Sequence, residues 1–342
     1  MRSPRELTRR RIPRWLPQVF GYALSAGCLI WVLHGYPIGE LIPTIRALDW
    51  RWVLLGAVSD LAVYVVHGWR WNTLLGPVIR LRLWRTVQAI YIGLFANEVL
   101  PLRSGELIRG YLLCHWSDLR LSLGFASIAV ERLIDGLLLF GAFLATAAFV
   151  RAVPRDLLIL VQIMGAFLLA GVAVLVWIVR RKQEAHAVFA ESRWAATLRH
   201  VVEGLHLMGG ARTLGKTTAV SLVYLALQVV SVWALMKAYG LDLSFWAAGG
   251  VMTVVRFATV VPNAPGNVGL FQFACVLALG LFDVEKTDAK TFSFIMFFAL
   301  TLPLLLGGAL ATALTGVNLG QIHARARSSM AEVHAAPSAE EP

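Results

Sequence analysis

Three stretches of this chain, residues 157–179, 217–236 and 291–324, contain no Asp, Glu, Lys or Arg. Each is long enough to cross a hydrocarbon core, which takes about 20 apolar residues. In that medium every backbone polar group must be satisfied internally, so only helices and closed barrels span it. Uninterrupted apolar runs of this length point to helices, and an all-α membrane protein is expected. Composition agrees: 58% of the 342 residues are hydrophobic and 15% are charged, against about 25% charged in a soluble domain. Soluble enzymes, disulfide-framed secreted domains, and disordered or collagen-like chains are excluded.

Further apolar runs bring the expectation to about eight transmembrane elements, two of them broken or re-entrant. They lie near 16–33, 51–69, 86–100, 121–149, 157–179, 217–238, 246–282 and 290–318. Residues 1–15 form a basic amino-terminal segment with six Arg, and 16–320 form the transmembrane domain. Within it, 180–216 opens Arg180-Arg181-Lys182 and reads as an amphipathic surface segment. Residues 321–342 have the Ala-, Ser- and Glu-rich composition of a disordered tail.

Lys and Arg collect at the cytoplasmic ends of spans. With the amino end inside, the segments 1–15, 70–85, 180–216 and 320–342 are cytoplasmic and hold nineteen of the thirty-one basic residues; the outer segments hold seven. This predicts a multi-pass protein of the cell membrane (a bacterial inner membrane) with both termini in the cytoplasm. The count closes only if 86–120 returns to the cytoplasmic face and 246–282 to the outer one. The net charge of +11 then reflects topology and attraction to anionic lipids at the cytoplasmic face, with no nucleic-acid partner expected. Cys28, Cys114 and Cys275 are scattered through apolar sequence, and the eight His show no zinc-type spacing. No metal or other cofactor is expected.

Three groups of residues are costly to place in a bilayer. The first runs Asn97-Glu98-Val99-Leu100-Pro101-Leu102-Arg103-Ser104-Gly105-Glu106-Leu107-Ile108-Arg109. Pro101 ends the preceding helix and disfavours helix at Leu100, and Gly105 permits a turn. Arg103, Glu106 and Arg109 follow at i,i+3 spacing, either as ion pairs or as a cationic cradle for a phosphate. The second is Glu131-Arg132-Leu133-Ile134-Asp135, with Glu131 about 15 Å along a helix that begins near Leu121. Three ionisable groups there cost about 2.5–3.5 kcal/mol each, so they face protein or water. The third joins Arg256 to Val261-Pro262-Asn263-Ala264-Pro265-Gly266-Asn267-Val268-Gly269-Leu270-Phe271-Gln272, a proline-glycine break in an apolar run. A half-helix resuming at Asn267 would aim free amides inward, suited to an anion. Asp60 is expected to meet an Arg or a hydroxyl from a neighbouring helix. His67 with Trp69-Arg70-Trp71 reads as an interfacial anchor.

In order and spacing, Arg70-Trp71, Asn97…Pro101-x-Arg103-x-Gly105-Glu106-x-x-Arg109, Glu131-Arg132-x-x-Asp135 and Pro262-x-x-Pro265-Gly266-x-x-Gly269 resemble the flippase-like membrane domain of lysylphosphatidylglycerol synthases. The resemblance spans about 15–320 and implies a lipid-translocating role. The chain resembles a stand-alone member without the synthase domain, so aminoacyl-tRNA-dependent synthesis is not implied. The family pattern usually has a second glycine where Asn267 stands and an acid near Gln272, which suggests a different lipid.

The expected function is a lipid translocase for an anionic or zwitterionic headgroup or a lipid-linked precursor. Arg103, Arg109, Arg132 and Arg256 would attract the anion. Glu106, Glu131 and Asp135 would fix those arginines, and Asn263, Asn267 and Gln272 would complete the substrate site. Pro101, Gly105, Pro262, Pro265, Gly266 and Gly269 would supply hinge and backbone. A membrane-embedded lipid-modifying enzyme using Glu131 and Asp135, or a scaffold for a lipid-synthesis enzyme, are the alternatives. Homo-oligomerisation is compatible with each.

Overall fold

The computed structural model describes residues 16–37, 39, 41–100, 104–147, 155–180, 206, 208–260, 263–320 and 322. The basic segment 1–15, most of 180–216, the tail beyond 322, and Pro101, Arg103 and Pro262 lie outside the described residues. Among the described residues the chain forms α-helices and no strand. They are α1 (Leu16–Leu33), α2 (Leu41–Ala47), α3 (Trp50–Leu75), α4 (Leu83–Val99), α5 (Gly105–Ser117), α6 (Leu121–Ala147), α7 (Arg155–Arg180), α8 (Ala211–Tyr239), α9 (Phe245–Ala258), α10 (Leu270–Gly280) and α11 (Lys286–Thr315). A 3-10 turn at Pro265–Asn267 separates α9 from α10.

The eight expected elements are present: α1, α3, the α4–α5 pair, α6, α7, α8, the α9–α10 pair and α11. Helices α3, α8 and α11 are long and apolar enough to cross a membrane by length and composition alone. The 26 residues of α3 extend about 39 Å, more than a hydrocarbon core of about 30 Å. Helix α6 has the length, 27 residues, but carries the three ionisable groups of Glu131, Arg132 and Asp135. Large apolar side chains such as Phe167, Leu306 and Leu310 point outward, as a lipid-facing belt requires.

Both breaks have local causes. Helix α4 stops at Leu100, which is extended (φ −94°, ψ 144°) ahead of Pro101. The Gly105 amide then donates to Asn97 Oδ1 at 2.7 Å, satisfying one of the orphan donors at the start of α5. The α4–α5 pair closes so tightly that a Cβ at position 105 would lie 1.8 Å from the Gly93 carbonyl oxygen. In the second break Gly269 has φ +86°, and a Cβ there would lie 2.1 Å from the Ser25 carbonyl oxygen. Helix α1 docks on this tip, where the Ala264 amide donates to Ser25 Oγ at 2.9 Å.

Helices α3 and α8 cross through the middle of the molecule in opposite directions. The Asp49 amide, just before α3, donates to the Ala238 carbonyl near the end of α8 at 3.1 Å. Mid-helix, Ser59 Oγ donates to the Leu227 carbonyl at 2.9 Å. One apolar core gathers α3–α6 around Trp71, Ile90, Leu112 and Val130. A second gathers α8–α11 around Leu235, Val251, Cys275 and Phe292.

Because the atom opposite Gly105 is backbone, Gly105→Ala cannot be relieved by a rotamer change. It is expected to destabilise the protein by at least about 1–3 kcal/mol, seen as a lowered unfolding midpoint in detergent. Gly141→Ala on α6, which meets nothing within 4 Å, is expected to leave the midpoint unchanged or slightly raised.

Candidate functional site

Two polar constructions stand side by side within the apolar body. The first is an ion cluster shared by α3, α5 and α6. Glu131 is fully buried and lies between two arginines: Arg70 Nε is 3.2 Å from its Oε1 and Arg109 Nη2 is 3.1 Å from its Oε2. Arg70 also donates to Asp135 through both terminal nitrogens. Arg109 donates to Glu106 Oε2 at 2.8 Å through Nε, and its Nη1 lies 3.1 Å from His67 Nε2. Arg132 closes the outer edge, 3.1 Å from Asp135 Oδ2 and 4.0 Å from Glu106 Oε1. Three arginines thus balance three carboxylates.

Aromatic rings cover the cluster. The Arg109 guanidinium lies 4.6 Å from the Trp71 ring centroid and that of Arg70 lies 4.6 Å from Tyr224. The Trp71 indole donates to Ser127 Oγ at 2.9 Å, so its polar handle is also satisfied. The interior of the cluster is closed to the surface, with Arg70 and Glu131 at 0% exposure and Arg109 at 1%. At its edge the Arg132 side chain is 47% exposed.

The second construction is a cavity of about 170 Å³ between α3, α4, α8, α9 and α11. Its polar wall includes Asp60, Tyr64, Glu98, Gln228, Arg256 and Asn267. Asp60 Oδ2 accepts from the Tyr64 hydroxyl at 3.1 Å. Arg256 Nη2 donates to Gln228 Oε1 at 2.5 Å, and among the described residues no carboxylate lies within ion-pair distance of it. Both hairpin tips reach the cavity. Gly266 sits over the Glu98 side chain, whose Oε2 would be 3.5 Å from a Cβ at position 266. A separate pocket of about 30 Å³ shares Tyr224, Gln228 and Arg256 with the cavity wall and is also lined by Ser221 and Asp135. Tyr224 therefore faces the cluster on one side and the cavity on the other.

The structure sorts the residues singled out from sequence. Glu106, Arg109, Glu131, Arg132 and Asp135 do come together, but Arg109 and Glu131 face each other and not an open space, because each is the other's buried counter-ion. Arg256 and Asn267 line the cavity. Asn263 Nδ2 donates to Asn267 Oδ1 at 3.1 Å and braces the turn between Ala258 and Leu270. Gln272 is buried, and its Oε1 accepts the Gly269 amide at 2.7 Å, so it caps its own helix. Gly105, Pro265, Gly266 and Gly269 form the two tips.

Sequence reasoning placed His67, Arg70 and Trp71 at the membrane interface. The structure buries all three and leaves only Trp69 of that group outside. Helical phase explains the difference. Asp60, Tyr64, His67 and Trp71 recur at spacings of four, three and four along α3, a stripe that marks one inward face of an apolar helix. Asp60 takes its hydroxyl from Tyr64 on its own helix, and Arg256 of the neighbouring α9 shares its cavity and acts on it electrostatically. Tyr224 and Gln228 were not picked out, although they are one turn apart on α8.

Residues 18–308 match the family described as the lysylphosphatidylglycerol synthase transmembrane region. The chain belongs to that family. Among the relatives of this transmembrane-region protein is an archaeal one, the UPF0104 membrane protein of Methanothermobacter thermautotrophicus. It is 22% identical over 290 residues, covering 79% of this chain and 84% of the relative. Glycosyltransferase AglD of Haloferax volcanii is 24% identical over 310 residues, covering 78% of this chain and 49% of that protein. No solved structure gives a significant match.

Removing one partner from a buried pair leaves an uncompensated charge, which costs about 3–5 kcal/mol. Glu131→Gln is accordingly expected to depress the unfolding midpoint sharply, and Arg70→Met to do the same. Arg132→Ala, at the exposed edge, is expected to cost within about 1 kcal/mol. A double-mutant cycle on Arg70 and Glu131 in detergent-solubilised protein measures the coupling, and additive effects would contradict the assigned pairing.

Proposed function

We propose that this integral membrane protein translocates a lipid with an anionic or zwitterionic headgroup, or a lipid-linked precursor. On this reading Arg256 receives the headgroup and the buried ion cluster holds the frame around it. The observation that carries the proposal is a guanidinium with no carboxylate within ion-pair distance among the described residues, open to a cavity in an otherwise apolar body and facing Asp60 across it. Arginine stays charged there and offers forked donors that match a phosphate or carboxylate. Asp60, Gln228 and Asn267 supply acceptors and donors for the neutral or cationic part of the headgroup. The two broken tips line the cavity with backbone that is not fully paired within helices, an arrangement recurrent where helices break at the midplane to hold substrate. Asp135, in the wall of the separate pocket that shares Tyr224 and Arg256, and Arg132 beside it extend the polar surface available to the headgroup.

Family membership supports a role in lipid handling. A relative named as a glycosyltransferase makes sugar-bearing lipids a second class to assay beside phospholipids.

The test uses the purified protein in vesicles of phosphatidylethanolamine and phosphatidylglycerol carrying fluorescent phosphatidylglycerol, with a membrane-impermeant quencher reporting the exposed fraction. Protein-containing vesicles are expected to equilibrate the probe faster than empty ones. Arg256→Ala removes a hydrogen bond from a charged donor, about 1.5–3 kcal/mol, so the rate is expected to fall about ten- to hundredfold. The unfolding midpoint should be unchanged, and Arg256→Lys should retain part of the rate. Equal rates in wild type and Arg256→Ala would overturn the assignment.

A further inference from the structure

The two halves of the described fold follow one plan. Each is a long helix, a hairpin of two shorter helices, and a second long helix: α3, α4, α5, α6, and then α8, α9, α10, α11. The packing repeats too. Successive helices touch within each half, α4 packs on α11 as α9 packs on α6, and α3 meets α8 between them. Both hairpins carry a Pro and, four residues later, a Gly: Pro101 with Gly105, and Pro265 with Gly269. Shortly before the last helix of each half stands an aspartate with left-handed backbone, Asp118 (φ 53°) and Asp283 (φ 59°). These are two of the three non-glycine residues with positive φ among the described residues, and L-residues rarely adopt that conformation. Since α3 and α8 run in opposite directions, the second half is an inverted copy of the first.

Equivalent crevices in the two copies are not in the same state. Between α3, α4 and α11 an apolar groove of about 370 Å³ is open, walled by Leu61, Val65, Trp84, Tyr91, Gly307 and Leu314. Its counterpart between α8, α9 and α6 keeps only the pocket of about 30 Å³ beside Asp135 and is closed beyond it. Phe143 meets Phe257 with ring centroids 6.3 Å apart, and both are buried. Thr146 presses on Gly250, where a Cβ would lie 2.4 Å from the Thr146 methyl group.

The open groove adjoins the cavity. Its Tyr91 and Gly307 lie one turn along α4 and α11 from Leu94 and Leu304 in the cavity wall. Its floor holds the Gln88 amide oxygen, buried without a hydrogen-bond partner. Its mouth is rimmed by exposed Trp84, Leu310 and Leu314 on the lipid-facing surface. Between the two spaces Tyr91 packs on Gly307 and Phe95 on Gly308, so a lipid with its headgroup at Arg256 would pass one hydrocarbon chain into the groove by displacing the Tyr91 ring.

We propose that this groove seats a hydrocarbon chain of the transported lipid, and that the two inverted copies exchange states. In the second conformer the α6–α9 crevice opens toward the opposite leaflet as the α4–α11 groove closes. This rests on the translocase reading above and specifies its gates. An inverted repeat gives the two conformers similar packing, so a small shift of one half against the other interconverts them.

Two measurements test it on the full chain with Cys28, Cys114 and Cys275 replaced by Ala. A Cβ at position 249 would lie 3.8 Å from Thr146 Oγ1, so Thr146→Cys with Gly249→Cys places two thiols within disulfide reach. Oxidation is expected to slow movement of fluorescent phosphatidylglycerol about tenfold or more, with reduction restoring it. Spin labels at the exposed positions Trp84 and Leu310, and separately at Leu144 and Trp246, report the two crevices in vesicles without depending on that disulfide. Two distance populations are expected in each pair, wide in one when narrow in the other, with a shift when lipid composition changes. A single population in both pairs, or undiminished flipping by the cross-linked protein, would overturn the inference while leaving the translocase reading intact. Exchange of both distances with no lipid movement would uphold the paired gates and defeat the translocase reading.

Discussion

Glu131 fixes the geometry of the first half. A carboxylate with no access to water must find its counter-charge in protein, and here it takes two, from α3 and from α5. Neither helix can slide against α6 without exposing a charge to hydrocarbon. A buried pair of this kind is weak evidence for net stability, since its desolvation cost is large. What it supplies is register: Arg70 can satisfy both Glu131 and Asp135 only if α3 and α6 keep one alignment. That alignment sets the face α3 turns to α8, and with it the position of Asp60 and Tyr64 in the cavity.

Against this frame the second half is held differently. Its core is apolar, and Arg256, an exposed cation at the cavity wall, bonds to a neutral amide and not to a carboxylate. Apolar contacts are non-directional and tolerate small shifts, whereas the ion cluster does not. Tyr224, against Arg70 on one side and in the cavity wall on the other, therefore stands between a rigid wall and a more adaptable one. Such a pairing suits a site that must bind an anionic group and then release it.

How much of this was legible in the sequence depended on whether the cost of a residue could be assessed locally. Charge-free runs fixed the helices, and Pro101 with Gly105, and Pro265 with Gly269, fixed the two breaks, because each acts on its own backbone. Glu131, Arg132 and Asp135 stood out because three charges in one span need an explanation. Their main partner was visible only as part of a motif, not as their counter-ion. Arg70 lies 61 residues from Glu131 in the chain, and its Trp neighbours imitate an interfacial belt. Only the phase of α3, with Trp69 outward and Arg70 and Trp71 inward, distinguishes the two readings. The capping role of Gln272 was hidden for a related reason: a polar residue beside a break serves equally to bind a ligand or to cap the resuming helix, and only the structure shows its bond to the Gly269 amide. The inverted relation of the halves lies in packing and backbone conformation more than in side chains, since the positions matching the ion cluster fall within an apolar core.

The most direct measurement is an experimental density map of the protein in nanodiscs of native lipid. Headgroup density within hydrogen-bonding distance of Arg256, beside an ion-paired cluster around Glu131 with no headgroup in it, is the expected result. Headgroup density inserted between Glu131 and its two arginines, with only solvent at Arg256, would contradict it.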